Sequence, residues 1–262
     1  KYDPEDPDSL SHNEVWCIYE DRSKNLWIGT RNGGLNKFNR TTEKFTHYLH
    51  DVEDPNILSR MGILSIYEDR SGTLWIGAYS YTGGLYSFDR STGQFNRYEH
   101  NPDDPDSISH NEVWCIFEDH SGTLWIGTGN GLNKFNREKK KFTRYQYISD
   151  KTNHIHINRV FCIYEDKAGI LWIGTDWGLY KFNNLSGKFT AFFEQDGLPN
   201  NRILGILQDN DGNLWLSTNR GISRFNTKTK SFKNFDVDDG LQSKEFNPGA
   251  YFKSSDGKMY FG

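Results

Sequence analysis

The chain has 262 residues, of which 35% are hydrophobic and 15% aromatic, with a formal net charge of −4. Its mean hydropathy of −0.80 leans towards disorder, but 8 Trp, 14 Tyr and 18 Phe imply a core built largely from rings. The charge excludes the broad basic footprint of a duplex-binding domain, and no run of about 18 apolar residues is present to cross a bilayer.

Taken in chain order, the first unit reads as four short stretches rich in β-branched and aromatic residues. These are Val15–Asp21, Leu26–Thr30, a stretch ending in Lys37-Phe38-Asn39-Arg40, and Lys44–Tyr48. The pattern then returns. Leu26-Trp27 is followed by Leu74-Trp75, Leu124-Trp125, Leu171-Trp172 and Leu214-Trp215, with Trp spacings of 48, 50, 47 and 43. A degenerate copy, Met259-Tyr260, follows 45 residues later. Turn residues such as Ser71-Gly72, Gly83-Gly84 and Ser91-Thr92-Gly93 separate the stretches, and none has helical spacing.

Four strands per unit, repeated every ~40–50 residues, is the pattern of a β-propeller blade. The predicted fold is all-β: a propeller of four-stranded antiparallel blades. Full blades are expected at 13–50, 61–100, 111–147, 158–195 and 201–237, with an incomplete one at 246–262. Lys1-Tyr2 reads as the end of a preceding outer strand, so the chain is expected to be part of something larger.

Positions within a unit have physical meaning. The third residue of each first strand is small: Cys17, Ser65, Cys115, Cys162 and Gly205. Inner strands converge on the propeller axis, where room is short. Ile18, Ile66, Ile116, Ile163 and Ile206 beside them are expected to pack between blades. The Leu-Trp strand supplies the largest ring, whose burial contributes roughly 2–3 kcal/mol or more. Asp21, Asp69, Asp119, Asp166 and Asp209 close the first strands and read as turn caps, not as catalytic acids. Three Cys at one equivalent position argue for buried thiols without disulfides. No spacing marks a metal site or a nucleophile, so no cofactor, metal or catalytic residue is assigned. His154-Ile155-His156 is a lone pair.

Two residue runs carry a resemblance. Tyr67–Gly77 and Gly84–Asp89, with the inter-blade segment Asp103–Asn111, resemble the two-component-regulator propeller repeat. The resemblance implies the extracytoplasmic sensor region of a bacterial hybrid two-component system. Such sensors carry seven-bladed propellers, of which this chain would be a part; they dimerise, detect oligosaccharides and signal to a histidine kinase, which would lie outside this chain. It further implies a place on the periplasmic or extracellular side of the inner membrane, with attachment only through segments outside this chain.

In a propeller, two kinds of loop share one face: the connection between blades, and the turn between second and third strands. Residues that vary there while the frame stays fixed are the candidate ligand contacts. In the turns these are Arg31, Asn32, Tyr79, Tyr81, Asn130, Asp176, Trp177, Asn219 and Arg220; in the connections, Arg60, Arg159 and Arg202. Trp177 stands outside both repeating Trp positions and beside Asp176, as for stacking on a sugar face. The arginines suit a carboxylate or sulfate. His12, His110 and His156, and Asn13, Asn111, Asn158 and Asn201, read as loop caps. Trp16, Trp114 and Phe161, alternating with Leu64 and Leu204, read as packing.

The leading expectation is an oligosaccharide-sensing propeller without catalysis. The alternatives are a polysaccharide-cleaving propeller and a protein-interaction scaffold. The enzyme would need converging carboxylates; Asp176, Asp236, Asp238 and Asp239 are available, but no spacing singles out a pair.

Overall fold

A computed structural model describes residues 1–48, 61–80, 82–145, 147–150, 153–156, 159–184 and 186–262, with backbone alone at 147–150 and 153–156. The chain divides into two compact units. One holds residues 1–129 and 133–144, the other 130–132 and 145–262.

Three sheets form the first part of the chain. β1 (Val15–Glu20), β2 (Leu26–Thr30), β3 (Leu35–Asn39) and β4 (Lys44–Tyr48) make the first. β5 (Gly62–Glu68), β6 (Leu74–Tyr79), β7 (Gly84–Asp89) and β8 (Gln94–Tyr98) make the second. The third holds β9 (Val113–Glu118), β10 (Leu124–Thr128), β11 (Gly131–Asn136) and β12 (Lys141–Tyr145). Each is an antiparallel meander whose spatial order follows the sequence.

The rest of the chain begins with a hairpin that the sequence pattern does not flag. β13 (Tyr147–Asp150) pairs with β14 (Asn153–His156), so His154 and His156 lie on a strand. Two more four-stranded meanders follow. They are β15 (Val160–Glu165), β16 (Ile170–Thr175), β17 (Gly178–Asn183) and β18 (Lys188–Phe192), then β19 (Ile203–Gln208), β20 (Leu214–Thr218), β21 (Gly221–Asn226) and β22 (Ser231–Phe235). A last pair, β23 (Tyr251–Lys253) and β24 (Met259–Phe261), closes the described strands. The all-β expectation of four-stranded blades holds.

The core lies between consecutive sheets. Trp27 of the first sheet packs with Ile63, Ile66, Leu74, Ile76 and Phe88 of the second. Trp75 repeats this against Val113, Ile116, Leu124, Ile126 and Phe135 of the third. In the second unit Trp172 does the same against Ile203, Ile206, Leu216 and Phe225. A blade is too thin to bury a face alone, so Trp27, Trp75 and Trp172 are each buried with the help of the sheet that follows.

The small third residue has a specific cause. A Cβ on Gly29 would come within 2.5 Å of Cys17 Sγ and 2.7 Å of Ile63 Cβ. The glycine of the second strand and the small residue of the first make the slot that a side chain of the next sheet fills. Ile66, Ile116, Ile163 and Ile206 are buried as expected. Ile18 departs from the expectation: it is 63% exposed, because among the described residues nothing packs on that face of the first sheet.

The turn between first and second strands is the most uniform local feature. Asp69 N–H donates to Thr73 O and Gly72 N–H to Asp69 O, at 3.0 and 2.9 Å. Gly72 takes φ +86°, which only glycine adopts freely. In the first blade Lys24 holds the same place at φ 65° without that freedom.

Candidate functional site

A β-bulge builds the ends of the inner strands. In the first sheet the register shifts between Val15 and Cys17, opposite Thr30 and Gly29. The same shift occurs at Ile63/Ser65, Val113/Cys115, Val160/Cys162 and Ile203/Gly205. The extra residue is Trp16, Leu64, Trp114, Phe161 or Leu204. A bulge re-aims the side chain it carries, so these residues leave the alternation of the strand.

In the first unit this produces an aromatic row. Tyr79, at the end of β6, lies edge-on between Trp16 and Trp114, with ring centres 5.7 Å away on each side. Interplanar angles of 77° and 71° are the edge-to-face geometry that aromatic pairs favour. A Cβ on Gly62 would collide with Trp16, so glycine there lets the indole lie against the backbone. Tyr79 is 40% exposed and the two indoles are half-buried. Packing alone, the role read for Trp16 and Trp114 from sequence, leaves out this exposed row. The signal was present as aromatic residues alternating with Leu at one position.

In the second unit the equivalent ends gather different chemistry. Phe161 is buried. The Arg202 guanidinium carbon lies 5.0 Å from its ring centre and that of Arg159 lies 6.0 Å away. Asp176 and Arg159 are tied by two hydrogen bonds. Arg159 N–H donates to Asp176 Oδ1 at 3.3 Å, and Asp176 N–H to Arg159 O at 3.2 Å. Gly178 N–H donates to Asn201 O at 2.7 Å, which fixes the Asp176-Trp177 turn against the loop carrying Arg202. Trp177 N–H is held by Thr175 Oγ1 at 2.9 Å, while its ring is 57% exposed. Burial pushes the Tyr180 hydroxyl above its ordinary range, with the Asp176 charge adding to the shift.

The structure therefore brings Arg159, Asp176, Trp177 and Arg202 together, and joins Tyr79 to Trp16 and Trp114. The remaining candidates are placed singly. Arg31 pairs with Glu14 at 3.0 Å on the surface, and Asn32 is exposed beside it. Asn130 is exposed. Arg220 is exposed with its backbone N–H on Thr218 Oγ1, and Asn219 is half-buried. Arg60 and Tyr81 lie outside the described residues.

The neighbouring polar residues act as caps. Asn13, Asn111 and Asn201 accept the backbone N–H of Tyr2, His100 and Glu194 at 2.9, 2.7 and 2.9 Å. His12 and His110 Nδ1 accept those of Glu14 and Glu112 at 3.0 Å. Asn158 and the side chain of His156 lie outside the described residues. Asp236 and Asp239 cap the 3-10 turn Val237–Asp239, each accepting a backbone N–H. Among the described residues no three His, Cys, Asp or Glu converge as metal ligands.

A cleft of about 500 Å³ lies at the opposite end of the second sheet, between it and the third, lined by Trp75, Arg90, Tyr98, Phe135, Arg137 and Lys140 among others. Its arginines are engaged structurally. Arg90 bonds Asp21 and Glu68, and Arg137 bonds Asp69 and Glu118. They clamp one blade to the next.

The two-component regulator propeller repeat matches the chain five times, at residues 9–32, 57–80, 107–130, 155–177 and 197–220. Among solved structures, the chain is 28% identical to the extracellular domain assigned to a hybrid two-component system of B. thetaiotaomicron. The TM-score is 0.81 over 95% of this chain and 32% of the other. A second such domain from B. thetaiotaomicron is 24% identical, with a TM-score of 0.59 over 95% of this chain and 40% of the other. Virginiamycin B lyase of Staphylococcus aureus shares the fold alone, at 16% identity and a TM-score of 0.68, over 97% of this chain and 79% of the other. The chain thus spans about a third of the first of these domains and two fifths of the second. No curated protein sequence matches it. With its blades, bulges and five matched repeats, the chain belongs to the two-component regulator propeller repeat family.

Proposed function

We propose that this chain is the ligand-sensing propeller of a hybrid two-component system. On this reading it lies on the extracytoplasmic side of the membrane. It binds an oligosaccharide without turning it over and reports to a histidine kinase outside this chain. The likeness to an extracellular domain assigned to a hybrid two-component system supports the placement. The observation that carries ligand binding is the Trp16–Tyr79–Trp114 row. A partly exposed row of rings at the loop end of consecutive blades offers apolar faces to the C–H face of a sugar.

The test is titration of the intact chain with a panel of plant and host-glycan oligosaccharides, read by Trp fluorescence and calorimetry. At least one should bind saturably and be recovered intact by chromatography. Tyr79→Ala should weaken it by about tenfold, the ~1.4 kcal/mol expected for one aromatic contact. Recovery of cleaved products would overturn the non-catalytic reading, and unchanged binding by Tyr79→Ala would overturn the aromatic site.

A further inference from the structure

The second unit holds a positive charge with a donor that nothing among the described residues uses. Arg202 Nε is buried and, among the described residues, no group accepts a hydrogen bond from it. Its backbone N–H donates to Asn200 Oδ1 at 3.0 Å. Folded proteins leave few buried donors unsatisfied, and a cationic one stands out among them.

The guanidinium is also held in place. It lies 5.0 Å from the centre of the Phe161 ring, which is 2% exposed, so the contact is shielded from water. A guanidinium that rests on a ring presents its donors along its edge. Arg159 approaches the same ring at 6.0 Å and adds a second positive charge. Asp176, the acid in this group, is tied to the Arg159 backbone. Trp177, whose ring is exposed, precedes Gly178, whose N–H is bonded to the carbonyl of Asn201 next to Arg202 in the chain.

We propose that Arg202, seated on Phe161 beside Arg159, is an oxyanion subsite that takes the carboxylate or sulfate of an acidic sugar. This rests on the reading of the chain as an oligosaccharide sensor and assigns the ligand its charge. A guanidinium edge matches two oxygens of either group through parallel N–H···O bonds, which an ammonium cannot reproduce. Trp177 supplies an apolar face for the ring that carries the anion.

The experiment titrates the intact chain with glucuronate, glucose 6-sulfate, glucose and inorganic sulfate. Binding is read by calorimetry, and the Arg202 Nε–H resonance is followed by NMR. One or both anionic sugars should bind at least tenfold tighter than glucose and shift that resonance. Arg202→Gln should abolish the preference, and Arg202→Lys should retain only a minor part of it, with thermal melts confirming that both variants fold. The resonance shift in the unaltered chain tests the site independently of either variant. Equal binding of glucose and its anionic counterparts, or a preference that survives Arg202→Gln, would overturn the subsite and leave the sensor reading standing. Binding of inorganic sulfate with neither anionic sugar bound would also overturn the subsite, while the sensor reading stands or falls on the oligosaccharide titration.

Discussion

The indole N–H of Trp75 donates to Asp69 Oδ2 at 2.7 Å. The same bond joins Trp27 to Asp21, Trp125 to Asp119, Trp172 to Asp166 and Trp215 to Asp209, at 2.8 to 3.0 Å. One carboxylate thus closes its own turn and anchors the largest ring of its blade. In two blades it also receives an arginine of the next: Arg90 on Asp21 and Arg137 on Asp69. Repetition of this unit explains why so few apolar residues suffice.

Asp69→Ala should destabilise the chain by about 3 kcal/mol. The substitution orphans the buried Trp75 N–H and the Ser71 and Thr73 donors, and takes from Arg137 one of its two carboxylate partners, leaving Glu118. Asp69→Asn keeps acceptors for the turn and loses the ion pair, so its loss should be smaller. Urea unfolding of the two variants measures both. Equal stability of Asp69→Ala and the parent chain would remove the clamp from the account.

Acid should unfold the chain through these same carboxylates. Burial disfavours the charged form of Asp21, but bonds from Trp27, Asn25 and Arg90 outweigh it and hold the carboxyl down at about 2. Asp69, Asp119 and Asp209 are lowered in the same way, each against burial by the hydrogen bonds of its own turn and Trp. A carboxyl whose folded value lies below its unfolded value of about 3.9 stabilises the fold above that value. The contribution is lost as pH falls through the folded value. For Asp21 this is on the order of 2 kcal/mol. Stability should therefore be level above pH ~5 and fall between pH ~4 and 2. Asp21→Asn should flatten part of that fall, as seen in denaturant midpoints across pH.

Much of this frame is legible in the sequence because it repeats. Five copies of Asp, turn, Leu-Trp reveal the blade, the cap and the buried ring together. The bulge is not legible, since one extra residue leaves no mark in period-two alternation when its neighbours are small on one side and apolar on the other. Trp16 and Trp114 therefore read as packing alone, whereas for Phe161, which is buried, that reading agrees with the structure. The partnership of Arg159 with Arg202 is also hidden, because it depends on two residues more than forty positions apart meeting on one ring. Asp176 and Trp177 were visible because they break the repeat. Ile18 was misread because its equivalents are buried by a neighbouring sheet, a condition that no local sequence records.

The inner-strand slot should tolerate no added methyl. A Cβ on Gly174 would meet Cys162 Sγ and would lie 2.9 Å from Ile203 Cγ2, and both belong to packed strands. Gly174→Ala should cost about 1–3 kcal/mol by overpacking. Adding Cys162→Gly should recover part of that loss, because it clears one of the two clashes and leaves Ile203. Thermal melts of the single and double variants decide it. No recovery would mean that Ile203 alone sets the limit. The same slot seals the thiols: burial pushes Cys17 and Cys115 up to about 12, so they should resist alkylation at pH 8 until the chain unfolds.

Trp177 and Tyr79 should separate when each is cut to Ala. The Trp177 ring is 57% exposed and, among the described residues, makes no ring contact; the bonds that fix the residue are made by its backbone, whose N–H donates to Thr175 Oγ1 and whose carbonyl accepts from the Tyr180 hydroxyl. Trp177→Ala should thus change stability by less than about 0.5 kcal/mol. Tyr79 touches two indoles edge-on, each contact contributing about 0.5–1.5 kcal/mol, so Tyr79→Ala should cost roughly 1–2 kcal/mol. It should also alter Trp emission, since the rings of Trp16 and Trp114 lose their common neighbour. Parallel melts and fluorescence spectra test the pair. A loss at Trp177 as large as that at Tyr79 would show a packed ring, and Trp177 would no longer stand as a residue that the fold leaves open to a ligand.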